Sequence, residues 1–261
     1  MRLPIKFRGG RLPHDPKRPA IQLADVLDPK LTAPPETADW VSTVPPYAWG
    51  MLGNDTVGDC TIAGLAHKRI GDVWANAGTI LEVTTPEVLS FYENFGYRPD
   101  DPSTDQGAVC QQVLETWQRL GFLGEKPLAF ARINLRSATE LRQAIALFGQ
   151  VYVGIDVPES AMQQFNDGEP WTVVANSPIE GGHCVTFGAY DKDGVTAVTW
   201  GTLQKADWGF VKAYGKEAYV LISTDDYDPK TGKNRDGLNG AALESIYTKL
   251  TGRKVGTEVA A

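Results

Sequence analysis

Gly53-Asn54-Asp55-Thr56-Val57-Gly58-Asp59-Cys60, followed by Thr61-Ile62-Ala63-Gly64-Leu65-Ala66-His67, decides the fold. The glycine- and aspartate-rich part reads as a loop. Beyond it Ile62, Leu65, Ala66, Ile70, Val73, Trp74 and Ala77 recur at helical spacing, so a helix is expected from Cys60 to Ala77. Gly78 is its stop. Cys60 then sits at a helix N-terminus, where free N–H groups and the macrodipole favour thiolate. A buried structural cysteine is the bland alternative. His67 lies off the apolar stripe and is expected at the surface.

Outward from this helix, Pro86 to Phe95 and Ala108 to Leu120 read as further helices. Ser137 with Glu140 has the capping-box pattern for a short one ending at Phe148. The second half changes period. Val151–Val157, His183–Tyr190, Val195–Trp200 and Ala218–Ser223 read as strands, with Asp193-Gly194 as a hairpin turn. Helices first and strands later give an α+β protein. His183 follows Gly181-Gly182 at a strand start, and alternation turns Cys184 away from it. A helix-capping cysteine opposite such a histidine is the arrangement that makes a thiolate–imidazolium pair.

Composition narrows the function classes. The 261 residues carry a net charge of -7, which argues against a nucleic-acid partner. Three widely spaced cysteines, Cys60, Cys110 and Cys184, make neither a disulfide framework nor a zinc site. They suit a reducing compartment, hence a cytoplasmic or virion setting. No signal peptide is visible, and no apolar run is long enough for a membrane span. No cofactor or metal is expected. The aspartates between 225 and 236 lack the closing glutamate of a calcium loop.

Three segments are expected: an extended arm over 1–36, a main domain over 37–223, and a polar extension over 224–261 with a short helix at Ala241–Leu250. Prolines interrupt the arm, and six Lys or Arg stand against one acid in its first 18 residues. It reads either as a solvated tail or as a segment that docks on an acidic partner protein.

In order along the chain, several landmarks resemble the papain-like cysteine peptidases. They are Pro35 through Trp40, Asn54 through Cys60, Asp105-Gln106-Gly107, Val153 through Val157, Gly182-His183-Cys184-Val185, Trp200-Gly201-Thr202, Trp208-Gly209 and Tyr219 through Ile222. Gly-Asn-Asp followed by Gly-Asp-Cys also looks like papain-like proteins of bacteria and their phages. The resemblance implies a helical N-terminal lobe and a C-terminal antiparallel barrel-like lobe. It also implies Cys60 as nucleophile, His183 as base and acid, and Asn54 with the Cys60 backbone N–H as oxyanion donors, each worth about 3 kcal/mol. The substrate would be a peptide or protein.

The sequence departs from the family at four places. Val198 stands where an asparagine orients the histidine, leaving Thr199 or Gln204 for that task. Val57 replaces a disulfide cysteine. Asp59 beside the nucleophile opposes thiolate unless it points into solvent. The arm does not resemble a helical prosegment. Two functions therefore stand side by side: a peptidase, and a papain fold kept for structure or binding, such as a virion component. A transglutaminase-like acyltransferase is a third, with Asp207 too far along the chain for an easy histidine partner.

Overall fold

The computed structural model describes residues 6, 8–15, 17–26, 33–127, 129–222 and 248. The aspartate-rich stretch over 225–236, read as no calcium loop, and the expected helix at 241–250 lie outside them, apart from residue 248.

The arm is not a bare tail. It contributes a short strand β1 (Arg11–Leu12) and one helical turn α1 (Leu23–Val26). Leu23 is fully buried in the core of the sheet lobe. Strand β2 (Ala38–Asp39) follows.

Helix α2 (Cys60–Ala77) has the predicted bounds, and Gly78 closes it in the left-handed region at φ 64°. It is buried on all sides over Cys60–Asp72, because it lies between the sheet and helices α3 (Thr85–Tyr92) and α4 (Cys110–Leu120). This corrects the reading of His67. That ring is 3% exposed, and its Nε2 meets the carbonyls of Trp49 and Gly50 at 3.0 and 3.1 Å. Periodicity misplaced it because a central helix has no solvent face. Charges on the same helix are buried as pairs. Lys68 meets Asp72 at 3.0 Å, and Arg69 meets Glu125. The predicted helix start at Ala108 is instead strand β3 (Ala108–Val109), which pairs in parallel with β1.

The second half is an antiparallel sheet in the order β4 (Ala129–Arg132), β9 (Gly215–Ile222), β5 (Val151–Pro158), β6 (Ile179–Tyr190), β7 (Gly194–Thr199), β8 (Thr202–Asp207), with β2 paired to β6. Helices α5 (Ala138–Phe148), α6 (Glu159–Asp167) and α7 (Trp208–Tyr214) complete this lobe. Ser137 caps α5, accepting the Glu140 N–H at 3.2 Å, but the Glu140 carboxylate goes to the Asn134 N–H, so the reciprocal box does not form.

The sheet packs on α2 through one of two apolar cores. Val185, Phe187 and Trp200 belong to the sheet lobe's own core. Cys60, Cys184, Tyr152 and Val198 belong to the core shared with α2. Polar ties fix the register between them. The Tyr152 hydroxyl donates to the Thr61 carbonyl at 2.7 Å, holding the first turn of α2. Gln150 donates to the carbonyls of His67 and Lys68 and accepts from Thr186. Each tie satisfies groups that would be costly to bury alone.

Candidate active site

The loop before Cys60 is held from behind. Asp105 accepts the Gly58 N–H on both carboxylate oxygens, at 3.1 and 3.0 Å. The Tyr92 hydroxyl donates to the same carboxylate at 2.8 Å and accepts the Gly107 N–H at 2.7 Å. Two loops that the sequence marked separately are thus fastened together through Asp105 and Tyr92. Neither residue stands out by spacing, because the bonds cross tens of residues.

Cys60 opens α2 and is 1% exposed. The backbone N–H groups of Cys184 and Gly10 lie close enough to its sulfur to favour the thiolate. The first of these is the peptide joining His183 to Cys184, so the sulfur lies against the middle of β6; the strand begins at Ile179 and not at His183 as expected, because Gly181 and Gly182 pair with β5. Burial is the largest influence on the thiol and pushes it up to about 12, against the pull of those two donors.

His183 is also 1% exposed. Its Nε2 lies 2.8 Å from the Thr199 hydroxyl. The ring stacks on the Trp200 indole, with centroids 4.3 Å apart and 14° between planes. Trp200 sits at φ 44° and Gly201 at φ 69°, the left-handed pair of a tight hairpin turn between β7 and β8. A tryptophan tolerates that conformation only where its surroundings fix it, and here the ring lies over the imidazole. Burial, then the positive fields of His67 and Arg11, depress His183 to about 3.

Of the two histidine partners open to the sequence, Thr199 is the one that meets the ring. The Gln204 amide instead donates to the carbonyls of Glu169 and Lys205. Val198 faces the helix-side core. Cys184 turns toward Gly64 of α2, away from the histidine face, as alternation requires. Asp207 caps α7, accepting the Phe210 N–H at 2.6 Å. Thr199→Val should leave buried Nε2 without its hydroxyl at a cost of roughly 1–3 kcal/mol. Thermal melting would show this as a drop of about 2–4 °C per kcal/mol, with Thr199→Ser restoring most of it.

Asp59 does not point into solvent. It is fully buried, and burial raises its carboxyl to about 8, against the pull of the Asn54 amide. At neutral pH it is therefore mostly uncharged and opposes a thiolate less than a carboxylate would. The linkage has a definite sign. A raised folded-state value means stability is fully present at pH below about 4 and is lost as pH rises through about 8. Asp59→Asn should accordingly gain on the parent as pH increases across that window, by on the order of 5 °C in melting temperature at pH 8. A constant difference between pH 4 and 8 would contradict the assignment.

The arm covers this site. The Ala108 N–H donates to the Gly10 carbonyl at 2.7 Å. Gly10 lies so close to Gly58 that a Cβ would overlap the Gly58 carbonyl, and Gly182 leaves room for the Arg11 carbonyl in the same way. The Asn54 side-chain amide donates to the Val57 carbonyl at 3.1 Å and to the Arg8 carbonyl of the arm at 3.3 Å. Arg11 is buried among acidic groups of the chain's own sheet, donating to Asp156 at 2.6 Å and to Glu217 at 3.2 Å. The basic character of the arm was visible in the sequence, but its place over Cys60 was not.

Among the described residues no group of three or more His, Cys, Asp or Glu could hold a metal ion, and no helix is long and apolar enough to cross a membrane.

Neither a family model nor a curated protein sequence matches the chain. Solved structures do. Xylellain, a cysteine protease from Xylella fastidiosa, superposes with a TM-score of 0.64 at 16% identity, over 86% of this chain and 99% of that one. Procathepsin B S9 from Trypanosoma congolense gives 0.55 at 9% identity, over 83% and 86%. Digestive procathepsin L 3 from the Tenebrio molitor larval midgut gives 0.52 at 12%, over 84% and 76%. At these identities the likeness speaks for architecture, and it agrees with the helical region, the antiparallel sheet and the order of landmarks described above. The chain has a papain-like fold.

Proposed function

We propose that the chain is a cysteine peptidase whose Cys60 is kept covered by residues 8–12 of its own arm. The observation that carries this is the seat of the Cys60 sulfur. It lies at a helix N-terminus, against the peptide that follows His183, while the imidazole is tied by Thr199 and backed by Trp200. In the covered form burial keeps the thiol and the imidazole both neutral. Chemistry then begins when the arm leaves and water and substrate enter.

His183 takes the Cys60 proton, and the thiolate attacks the substrate carbonyl carbon. Negative charge forms on the carbonyl oxygen. The Asn54 amide and the Cys60 backbone N–H, one of the free donors of the helix end, stabilise it. That Asn54 already grips the Arg8 carbonyl supports its role as a donor to a peptide lying across the site. Imidazolium then protonates the leaving amine, and water hydrolyses the thioester. Thr199 holds the ring where an asparagine does so in the family, as a positioning residue.

The test is an activated peptide ester offered to a full-length chain whose arm has been displaced. Intact mass should show one acyl group on Cys60, followed by turnover, with Cys60→Ala abolishing both. Ester hydrolysis that is unchanged in Cys60→Ala would refute the proposal.

A further inference from the structure

We propose that the acidic pocket filled by Arg11 is a specificity site for an arginine side chain of the substrate; this rests on the peptidase reading above. Arg11 follows the residue whose N–H touches the Cys60 sulfur, so its side chain leaves the groove immediately beside the candidate nucleophile. It passes over Gly154, where any larger side chain would block the way. Its fork then meets three acceptors. One nitrogen donates to Asp156 at 2.6 Å, another to Glu217 at 3.2 Å, and Nε to the Ile155 carbonyl at 3.2 Å. The planar guanidinium suits this set and a lysine ammonium does not.

Glu217 makes the pocket more than a docking point for the arm. Its side chain has no exposure, and its other oxygen accepts from the Tyr219 hydroxyl at 2.9 Å. It pairs with Arg11 at 3.2 Å and lies 3.6 Å from His14, both of them residues of the arm. Asp156 is a quarter exposed and has a second cation, Lys216 of β9, at 3.0 Å, which does not belong to the arm. When the arm leaves, Glu217 loses both of its arm partners. A carboxylate recessed in the sheet beside a second one, Asp156, then favours the entry of another cation. The site is therefore built to receive another guanidinium, and a substrate carrying one a residue or two from the bond to be cleaved would supply it. Arg132, which donates to His14 at 2.8 Å, is a further charge facing this corner from the sheet.

The experiment uses the full chain carrying Gly10→Leu, so that its own arm cannot seat. A labelled peptide with the sequence of residues 8–15 is titrated in by fluorescence anisotropy, beside the same peptide with leucine in place of Arg11. The arginine peptide should bind at least about 10-fold more tightly, and Glu217→Gln should reduce that preference to about 2-fold or less. Asp156→Asn, at a more exposed position, provides a second reading if Glu217→Gln does not fold, and should also weaken the preference. Equal affinity of the two peptides for the Gly10→Leu chain would overturn the proposal. A cleavage panel of arginine, lysine, leucine and glutamate peptides separates the two readings. Arginine-selective binding with no cleavage of any peptide would sink the peptidase reading and leave the pocket standing. Cleavage that favours leucine or glutamate would sink the pocket and leave the peptidase.

Discussion

Gly10→Leu in the full chain is expected to raise the alkylation rate of Cys60 at neutral pH by about 10²–10³-fold. In the covered form burial pushes the thiol up to about 12, so it is protonated at pH 7. The nearby main chain leaves no room for a side chain at position 10, since even a Cβ would strike the Gly58 carbonyl. Leucine must therefore lift the strand off Ala108 and away from the sulfur. Mass spectrometry of the alkylated chain, with Cys110 and Cys184 as internal references, checks the site. Both of those cysteines are buried in the helix–sheet core and should stay unmodified. Equal rates in parent and variant would mean that the arm does not guard Cys60.

The largest effect on stability is expected at the centre of α2. Lys68 and Asp72 are 1% and 2% exposed and lie 3.0 Å apart, one turn from each other on the helix that carries Cys60. Asp72→Leu would leave the Lys68 ammonium buried without that carboxylate, a cost of about 3–5 kcal/mol. Chemical denaturation should register the loss as a lower midpoint with an unchanged slope. The double substitution Lys68→Met with Asp72→Leu removes both charges and should recover most of it, because a buried pair contributes little beyond what apolar packing would. If the double variant is as unstable as the single one, the pair is essential to α2 in some other way.

How much of this was legible in the sequence follows the range of the interactions. Helix α2, its glycine stop and the long strands depend on local periodicity and matched prediction to within a few residues. Thr199 could be proposed because strand alternation left it opposite Val198, and the structure brings its hydroxyl to His183. Strand β8 and helices α6 and α7 were not read, as stretches of six, nine and seven residues are too short for a period to stand out. The ties that shape the site were invisible for a different reason. Arg11 reaches Glu217 across 206 positions and Asp156 across 145, and no single-sequence pattern encodes such pairings. His67 was misjudged on the assumption that a polar residue faces water. In a helix wedged between two lobes it is turned inward, and Asp59, at the N-cap of that helix, is buried with it.

The central claim is that Cys60 and His183 act as a pair once the arm is gone. The direct measurement is a pH titration of thiolate ultraviolet absorbance in the full-length Gly10→Leu chain, with the same chain carrying Cys60→Ser as the blank. The pairing predicts a Cys60 thiolate already formed by about pH 6, and its loss to a titration near or above about 8.5 when His183 is replaced by alanine. A thiol that titrates at or above that ordinary value in both chains would contradict it.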